Sequence, residues 1–469
     1  MNQTTQLKIA ELKVSPVLDP GFTPPALWHR AYQSLCDANP ASRELVIALG
    51  RPDDTVFTHC MQVLPAAKAN KALNFKAVER VIQFLLWQKG GTVIYVAGAP
   101  EIGEEIAETY SKKGARAFTN DMMSRFFLAP LEVKVCEITE IPEANESALP
   151  LGRHLEGCRI GFDLGGSDRK CAAVVDGKVV FSEEVVWDPY FESNPEYHFE
   201  GICDSLKLAA AHLPRVDAIG GSAAGIYVDN EPRVASLFRG VPLELYESQV
   251  RPIFKRVMEE WKDVPFVVIN DGEVTALAGA MSLDDSPVLG IAMGTSQAGG
   301  YCAPNGGITP WLNELAFAPV DYRVDAPVDE WSGDGGCGVQ YFSQQAVARL
   351  IPVAGIKLPE LEMPFPKQLE FVQELMSNND QRAAKIYETL GVYFGYSLAW
   401  YAEFYEIKHM LLLGRVTSGP GGDLMIRVAN DVLAKEFPHL RGQIKISMPD
   451  EKLKRHGQAI AAASLPVIV

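Results

Sequence analysis

The sequence predicts an α/β protein: a separate α/β unit over residues 1–155, then two similar lobes over 156–287 and 288–469. Three observations predict it. Short apolar, β-rich segments alternate with amphipathic helical ones along the whole chain. An acidic, proline-containing, aperiodic stretch, "EITEIPEANESALPLGRHLEG", reads as a linker or a long surface connection. Beyond it, a β-hairpin with a glycine-rich turn, followed by helices and further strands, occurs twice.

The elements follow in order. In the first unit "ELVIALG" and "TVFTHCMQVL" read as strands and "NFKAVERVIQFLLWQKG" carries apolar residues at helical spacing. "GTVIYVAGAP" is a strand, "EIGEEIAETYSKKG" a surface helix closed by glycine, and "LEVKVCEI" another strand. No phosphate-loop signature and no Cys/His cluster occurs there, so a structural or oligomerisation role is the simplest expectation for it. From Arg159, "RIGFDLGG", "KCAAVVDG" and "KVVFSEEVVW" are three β segments joined by short turns, with Asp176-Gly177 as a hairpin signal. "YHFEGICDSLKLAAAHLP" is a helix, "VDAIGGSAAG" a strand entering a small-residue loop, "YESQVRPIFKRVMEEWKD" a helix, and "VPFVVIND" a buried strand. The last third repeats the pattern with "PVLGIAMGTSQAGGYCAP" and a long apolar helix, "TLGVYFGYSLAWYAEFYEIKHMLLLGR", running into a strand. Its aromatic series from Tyr393 to Tyr405 reads as core or interface packing.

Composition excludes several classes. The 469 residues are about three times the usual domain size, so more than one compact unit is expected. Hydrophobic residues at 47% and charged residues at 22% are ordinary globular usage, which predicts a chain folded throughout. A net charge of −16 argues against a broad nucleic-acid surface, which needs clustered Lys and Arg. The eight cysteines form no CxxC pair, as expected of reduced thiols in a cytoplasmic protein. Neither a basic-then-apolar leader nor an apolar run of membrane-spanning length is present, so a soluble, intracellular protein without a membrane partner is expected.

The chemistry-bearing segments are few. In "DLGGS" Asp163 ends a strand, and Gly165, Gly166 and Ser167 form a turn whose backbone N–H groups can cradle a phosphate, with glycine permitting positive φ and close approach. Double-glycine hairpins are also common structural turns. "AMGTSQAGG" has the same architecture, with Gly294 and the hydroxyls of Thr295 and Ser296. "LLLGRVTSGPGGDLM" is a buried strand followed by Gly414, Gly419, Gly421 and Gly422 and then a helix, a flat backbone on which a nucleotide base could lie. In "VVINDGEVTALAGA" Asn270 and Asp271 end an apolar strand; Asp271 is either a helix N-cap or, between two phosphate turns, a base for a substrate hydroxyl. The dispersed histidines offer no cluster, and His409 beside a buried strand reads as structural.

Taken together, residues 159–469 resemble the sugar kinase, actin and heat-shock chaperone superfamily, and within it the ROK (repressor, open reading frame, kinase) family of sugar kinases. Asp163 to Ser167 match the DxGGT phosphate motif, "GGSAAG" the GVPGP loop, and Asn270-Asp271 the NDxN segment whose Asp deprotonates the sugar hydroxyl. Gly294 to Gly300 match the second phosphate turn, Gly414 to Gly422 the adenosine segment, and "NELAFAPVD" the GE(I/L)GHxxVD stretch. The resemblance implies a two-lobed actin-like ATPase fold of ribonuclease H-like lobes, and ATP-dependent phosphorylation of a sugar or sugar-like polyol. It also implies Asp163 holding Mg²⁺ through water, and Ser222, Ser236, Asn270, Asp271 and Glu314 as substrate contacts. Related kinases are often dimers, which makes a homodimer the expectation.

Departures from the family pattern carry information. Phe317 stands where a zinc-ligating His is usual, and "EWSGDGGCGVQYFSQQA" keeps only Cys337 of three cysteines, so no zinc site is predicted. Val339 replaces a Glu that usually closes the sugar site, which predicts an acceptor other than glucose. The extra residue in "GSDRK" leaves the places of Asp168, Arg169 and Lys170 open. A second class of reading is a sugar- or nucleotide-sensing protein that no longer catalyses, with the N-terminal unit as output. A third is a chaperone or filament-forming ATPase. A repressor would need a basic helix-turn-helix, which residues 1–155 do not show.

Overall fold

A computed structural model of the chain describes residues 5–146, 151–262, 264–360, 362–449 and 457–468. Residues 147–150, part of the expected linker, lie outside them. The N-terminal module runs α1 (Pro25–Asp37), β1 (Arg43–Gly50), β2 (Val56–Val63), α2 (Lys71–Lys89), β3 (Val93–Ala97), α3 (Pro100–Thr109), α4 (Ala117–Phe127) and β4 (Glu132–Cys136). Its four-stranded sheet has the order β2-β1-β3-β4, with only β3 and β4 parallel.

In the first lobe, β5 (Cys158–Leu164), β6 (Asp168–Val175) and β7 (Lys178–Val186) form the antiparallel part of a sheet. After α5 (Pro195–Ala210), β8 (Ala218–Ala223) joins β5 in parallel. A small hairpin of β9 (Ile226–Val228) and β10 (Glu231–Val234) and the single turn α6 (Leu243–Leu245) lead to α7 (Ile253–Trp261). The expected single helix from Tyr246 to Asp263 is therefore interrupted: Pro252 lacks an amide proton and separates a short π-turn from α7. The strand β11 (Phe266–Asn270) completes the order β11-β8-β5-β6-β7 and leads into α8 (Asp271–Leu283).

The second lobe repeats the rule. Its β12 (Val288–Met293) pairs antiparallel with β13 (Gln297–Cys302) and parallel with β14 (His409–Leu413), which pairs parallel with β15 (Lys445–Ser447). The helices α9 (Gln344–Val353), α10 (Phe365–Ser377), α11 (Gln381–Tyr401) and α12 (Pro420–Glu436) complete it, and α13 (Gln458–Ala463) is the last described helix. In both lobes a central strand, β5 or β12, has a hairpin partner on one side and a parallel partner on the other. The two glycine-rich turns thus occupy matching places.

Two helices cross the expected lobe boundary. The start of α8 packs on β13 of the second lobe, because Gly272 and Gly300 lie so close that a Cβ at Gly300 would overlap the Gly272 carbonyl. The C-terminal α13, expected with the second lobe, lies on β5 and β8 of the first, where Gly161 and Gly220 leave room for the carbonyls of Ala459 and Ala462. A side chain at either glycine would push the helix off the sheet.

Residues 1–155 have a sheet of their own but not a core of their own. One continuous apolar cluster joins Leu45, Ile82, Leu86, Trp87 and Phe126 to Leu289, Leu315, Tyr341, Phe394 and Leu412. Burial that is continuous across the junction makes the module and the second lobe one hydrophobic unit, although the sequence predicts a separate one. The buried aromatics of α11, among them Tyr393 against Phe22 at 4.8 Å, are core packing.

Candidate active site

The β5–β8 register builds the first half of the site. Asp163 stands opposite Ser222 in the parallel pair, and the Ser222 hydroxyl donates to its Oδ1 at 2.7 Å. Ser222 is fully buried. Expected as a substrate contact, it spends its hydroxyl on Asp163. Across the antiparallel pair Asp163 faces Lys170, whose Nζ lies 4.0 Å from Asp163 Oδ2 and 3.0 Å from Asp168 Oδ1. Strand alternation turns Arg169 the other way, onto Ser205 Oγ at 2.6 Å and Asp204. Burial pushes the Asp163 carboxyl above its ordinary range, only partly offset by Ser222 and Lys170.

The turn after Asp163 is tighter than the sequence predicts. Gly165 donates to the Asp168 carbonyl at 3.0 Å, and neither Gly165 nor Gly166 has positive φ. Gly166 is required for a different reason: the ring of Tyr190 lies where its Cβ would be. Trp187 Nε1 donates to the Gly165 carbonyl at 2.8 Å, and the Ser167 hydroxyl to Asp168 at 2.9 Å. The matching turn in the second lobe is open. A Cβ on Gly294 would meet only the Ser296 carbonyl, at 3.9 Å, and Thr295 and Ser296 are exposed.

Gly414, with φ 92°, packs against the backbone of Met293, so the segment from Gly414 to Gly422 begins beside the second turn. Of its other glycines, Gly419 has φ 74° and faces open space, whereas Gly421 makes room for Tyr387 and Gly422 for the Thr417 carbonyl. Gln373, Met376, Ser377 and Ser418 to Gly421 enclose a pocket of about 180 Å³ at the start of α12.

Asp271 opens α8, carried there by a first-lobe strand and held against the second-lobe sheet. The side chain of Asn270 is engaged on both ends: Oδ1 accepts from the Gly272 amide at 2.7 Å, capping the helix, and Nδ2 donates to the Gly225 carbonyl at 2.7 Å. A carboxylate at a helix N-terminus is normally stabilised as the anion. Here burial and the charge of Asp163 win, and Asp271 is pushed up to about 6.

Glu314 belongs to the same electrostatic site. Burial and the neighbouring Asp271 push it up to about 7, and its carboxylate makes no hydrogen bond or ion pair among the described residues. Beside it Asn313, at φ 48°, donates to Glu273 Oε1 at 2.5 Å and accepts from the Tyr405 hydroxyl at 2.6 Å. Ser236 is exposed at the start of a short 3₁₀ turn after β10, and no contact joins it to the carboxylates.

Sequence reasoning missed Tyr227, on β9, whose phenol is held protonated by burial, by Tyr246 and by Asp271. Its position two residues past the small-residue loop was the available signal. Tyr190, too, was missed, because it follows the turn it covers by more than twenty residues. The segment around Phe317 carries no metal-ligand group among the described residues. Phe317 instead packs on Trp87 at 4.5 Å, Phe118 at 5.5 Å and Trp331 at 5.4 Å. Val339 is buried, with its amide on the Ala316 carbonyl at 2.9 Å. His409 is structural, bonded to Asp285 at 2.8 Å.

All these turns stand at the carboxyl ends of parallel strands, the usual place for ligands in open α/β sheets. No family model matches the sequence, and no curated protein sequence matches it. Solved structures do share the fold. The ROK hexokinase of Thermus thermophilus superposes with a TM-score of 0.51 at 17% identity, over 66% of this chain and 97% of that one. A ROK-family transcriptional regulator, a homologue of the E. coli MLC protein, gives 0.52 at 15% identity, over 66% and 79%. Over about two thirds of the chain the fold is therefore that of ROK sugar kinases and ROK regulators. Among the described residues no helix is long and apolar enough to cross a membrane.

Proposed function

We propose that the protein transfers the terminal phosphoryl group of ATP to a hydroxyl of a sugar or sugar-like polyol. One observation carries the reading: Asp271 is half-buried at the start of α8, which bridges the lobes, beside Asp163, with its carboxyl raised to about 6. A general base poised near neutral pH is what proton removal from an alcohol requires. Asp271 takes the hydroxyl proton, and Glu314, which has no hydrogen-bond or ion-pair partner among the described residues, accepts hydrogen bonds from the acceptor. Asn270 fixes the start of α8 and so the direction of Asp271.

The donor side fits a nucleotide and a divalent cation. Asp163 is nearly buried and has one oxygen left free by Ser222, a hard ligand suited to Mg²⁺ or its bound water. Bound Mg²⁺ neutralises charge on the phosphates. The turn at Gly166 and Ser167, together with Gly294 and the exposed Thr295 and Ser296, contacts phosphate oxygens, and Gly414 and the pocket at Gly419 take the adenosine. Phosphoryl transfer asks mainly for alignment and charge neutralisation, so the lobes close over both substrates. The protein works in the cytoplasm, without nucleic acid, and as a homodimer.

The test is ADP release with Mg²⁺–ATP across hexoses, amino sugars, sugar acids and inositols, with Asp271→Asn alongside. Release that depends on one acceptor class and falls at least ~10²-fold in the variant supports the reading. Normal turnover in the variant removes the base assignment. The apolar Val339 and Phe317, and the fold shared with a regulator, favour a second reading, a sugar sensor with the N-terminal module as output. It takes precedence if no acceptor stimulates release while sugar or ATP still raises thermal stability.

A further inference from the structure

The last turn of an α-helix leaves carbonyls without intrahelical partners. At the end of α2 two of them are taken by the acceptor loop: the Gln88 carbonyl accepts from the Asn313 amide at 3.0 Å, and the Trp87 carbonyl from the Glu314 amide at 2.9 Å. The loop caps the helix, so the position of the loop follows the position of the helix. Neighbouring contacts reinforce the junction. Lys89 Nζ stands 3.1 Å from the centre of the Trp311 ring, and Gln83 and Arg116 both bond Asp334, Gln83 at 2.9 Å. Gly90, which ends α2 at φ 77°, lies under Leu312 and Phe127; a Cβ there would come within 2.8 Å of the Leu312 side chain and 2.6 Å of the Phe127 ring. The same module touches the other lobe, where α4 packs on the β9–β10 hairpin that carries Tyr227.

We infer that the N-terminal module is the acceptor-side positioning element, acting through the end of α2, with Gly90 as the positioning residue that sets Asn313 and Glu314. This rests on the reading of Glu314 as an acceptor contact. It gives residues 1–155 a part in the site, although they contribute no side chain to the reacting atoms. A module bonded to this loop and packed on the opposite lobe also ties acceptor binding to the spacing of the lobes.

The experiment compares Gly90→Ala with Gly103→Ala in the full chain. Gly103 lies within the module on α3, where a Cβ would press on Val135 at 2.8 Å, far in sequence from any contact with the acceptor loop. Two readouts are taken: acceptor KM and kcat, and hydrogen exchange at the amides of Asn313 and Glu314. Gly90→Ala should raise acceptor KM about tenfold, keep ATP affinity within about twofold and accelerate exchange at both amides. Gly103→Ala should lower the melting temperature comparably and move neither readout. Equal changes in both variants, or unchanged exchange in Gly90→Ala, would overturn the inference. If the wild type shows no acceptor-dependent ADP release, the proposed function fails, and the exchange measurement still decides the positioning role.

Discussion

The turn after β5 and the turn after β12 hold matching places in matching sheets, yet they are built differently. The first is closed. Its carboxylate is buried, Ser222 and Lys170 flank it, and Trp187 and Tyr190 lie against its glycines. The second is open, with bare backbone at Gly294 and two exposed hydroxyls. Equal topology therefore does not mean equal work. A buried, flanked carboxylate keeps one geometry and a perturbed charge, as a group near the reacting atoms needs, whereas an open turn can receive and release a polyphosphate.

The largest test of this contrast replaces one polar group in each turn. Asp163→Asn should lower kcat by about 10²-fold or more, since it removes the carboxylate at the end of β5 that is proposed to hold the cation. Thr295→Ala should leave kcat within about threefold and weaken ATP by a similar factor, because one exposed hydroxyl makes one replaceable hydrogen bond. Steady-state kinetics in both substrates separates the two. Equal losses in the two variants would erase the distinction between a chemical and a holding turn.

Stability provides the next largest effect. In Gly166→Ala the new methyl enters the space of the Tyr190 ring, an overpacking that costs about 1–3 kcal/mol. Gly294→Ala meets nothing nearer than 3.9 Å and should melt like the wild type. The double variant Gly166→Ala/Tyr190→Ala should recover part of the loss. No recovery would mean that Tyr190 is not what Gly166 accommodates.

How far the site could be read from the chain follows from what each residue signals. The places of Asp163, Asp271 and the glycine turns at strand ends were legible because an acid or a glycine there is a residue-type signal. The role of Ser222 was not, because it comes from the parallel register that sets Ser222 beside Asp163, fifty-nine positions away. The contribution of α2 left no trace in the sequence at all, since Trp87 and Gln88 act through carbonyls, which every residue has. The crossing of α8 and α13 between lobes was hidden for a similar reason. Gly220 and Gly300, read as loop and turn glycines, and Gly161 inside a strand are packing glycines.

A smaller effect tests the flank of the closed turn. Ser222→Ala removes the donor to Asp163 Oδ1 and leaves a buried carboxylate oxygen without its bond, a loss of about 1–3 kcal/mol. The expected result is a lower melting temperature and a kcat reduced less than in Asp163→Asn, with acceptor KM unchanged. A raised acceptor KM with normal stability would restore Ser222 as a substrate contact.

The smallest effects are in pH dependence, and their sign follows from the raised carboxyls. Asp271 must be ionised to accept a proton, so kcat/KM should fall tenfold per unit below about pH 6 rather than below the range of a free aspartate. Asp163→Asn, by removing the neighbouring charge, should move that limb to lower pH, whereas Glu314, which still holds its proton there, should leave it in place when replaced in Glu314→Gln. The same substitution has a stability signature. Folded Glu314 holds its proton up to about 7, whereas the unfolded chain loses it near the ordinary carboxylate value, so stability falls as pH rises between the two. Glu314→Gln should therefore melt about 1–2 °C above the wild type at pH 8 and level with it near pH 4. A melting difference that is the same at both pH values would show that Glu314 does not share a charge site with Asp271, and with it would go the electrostatic link between the acceptor loop and the closed turn.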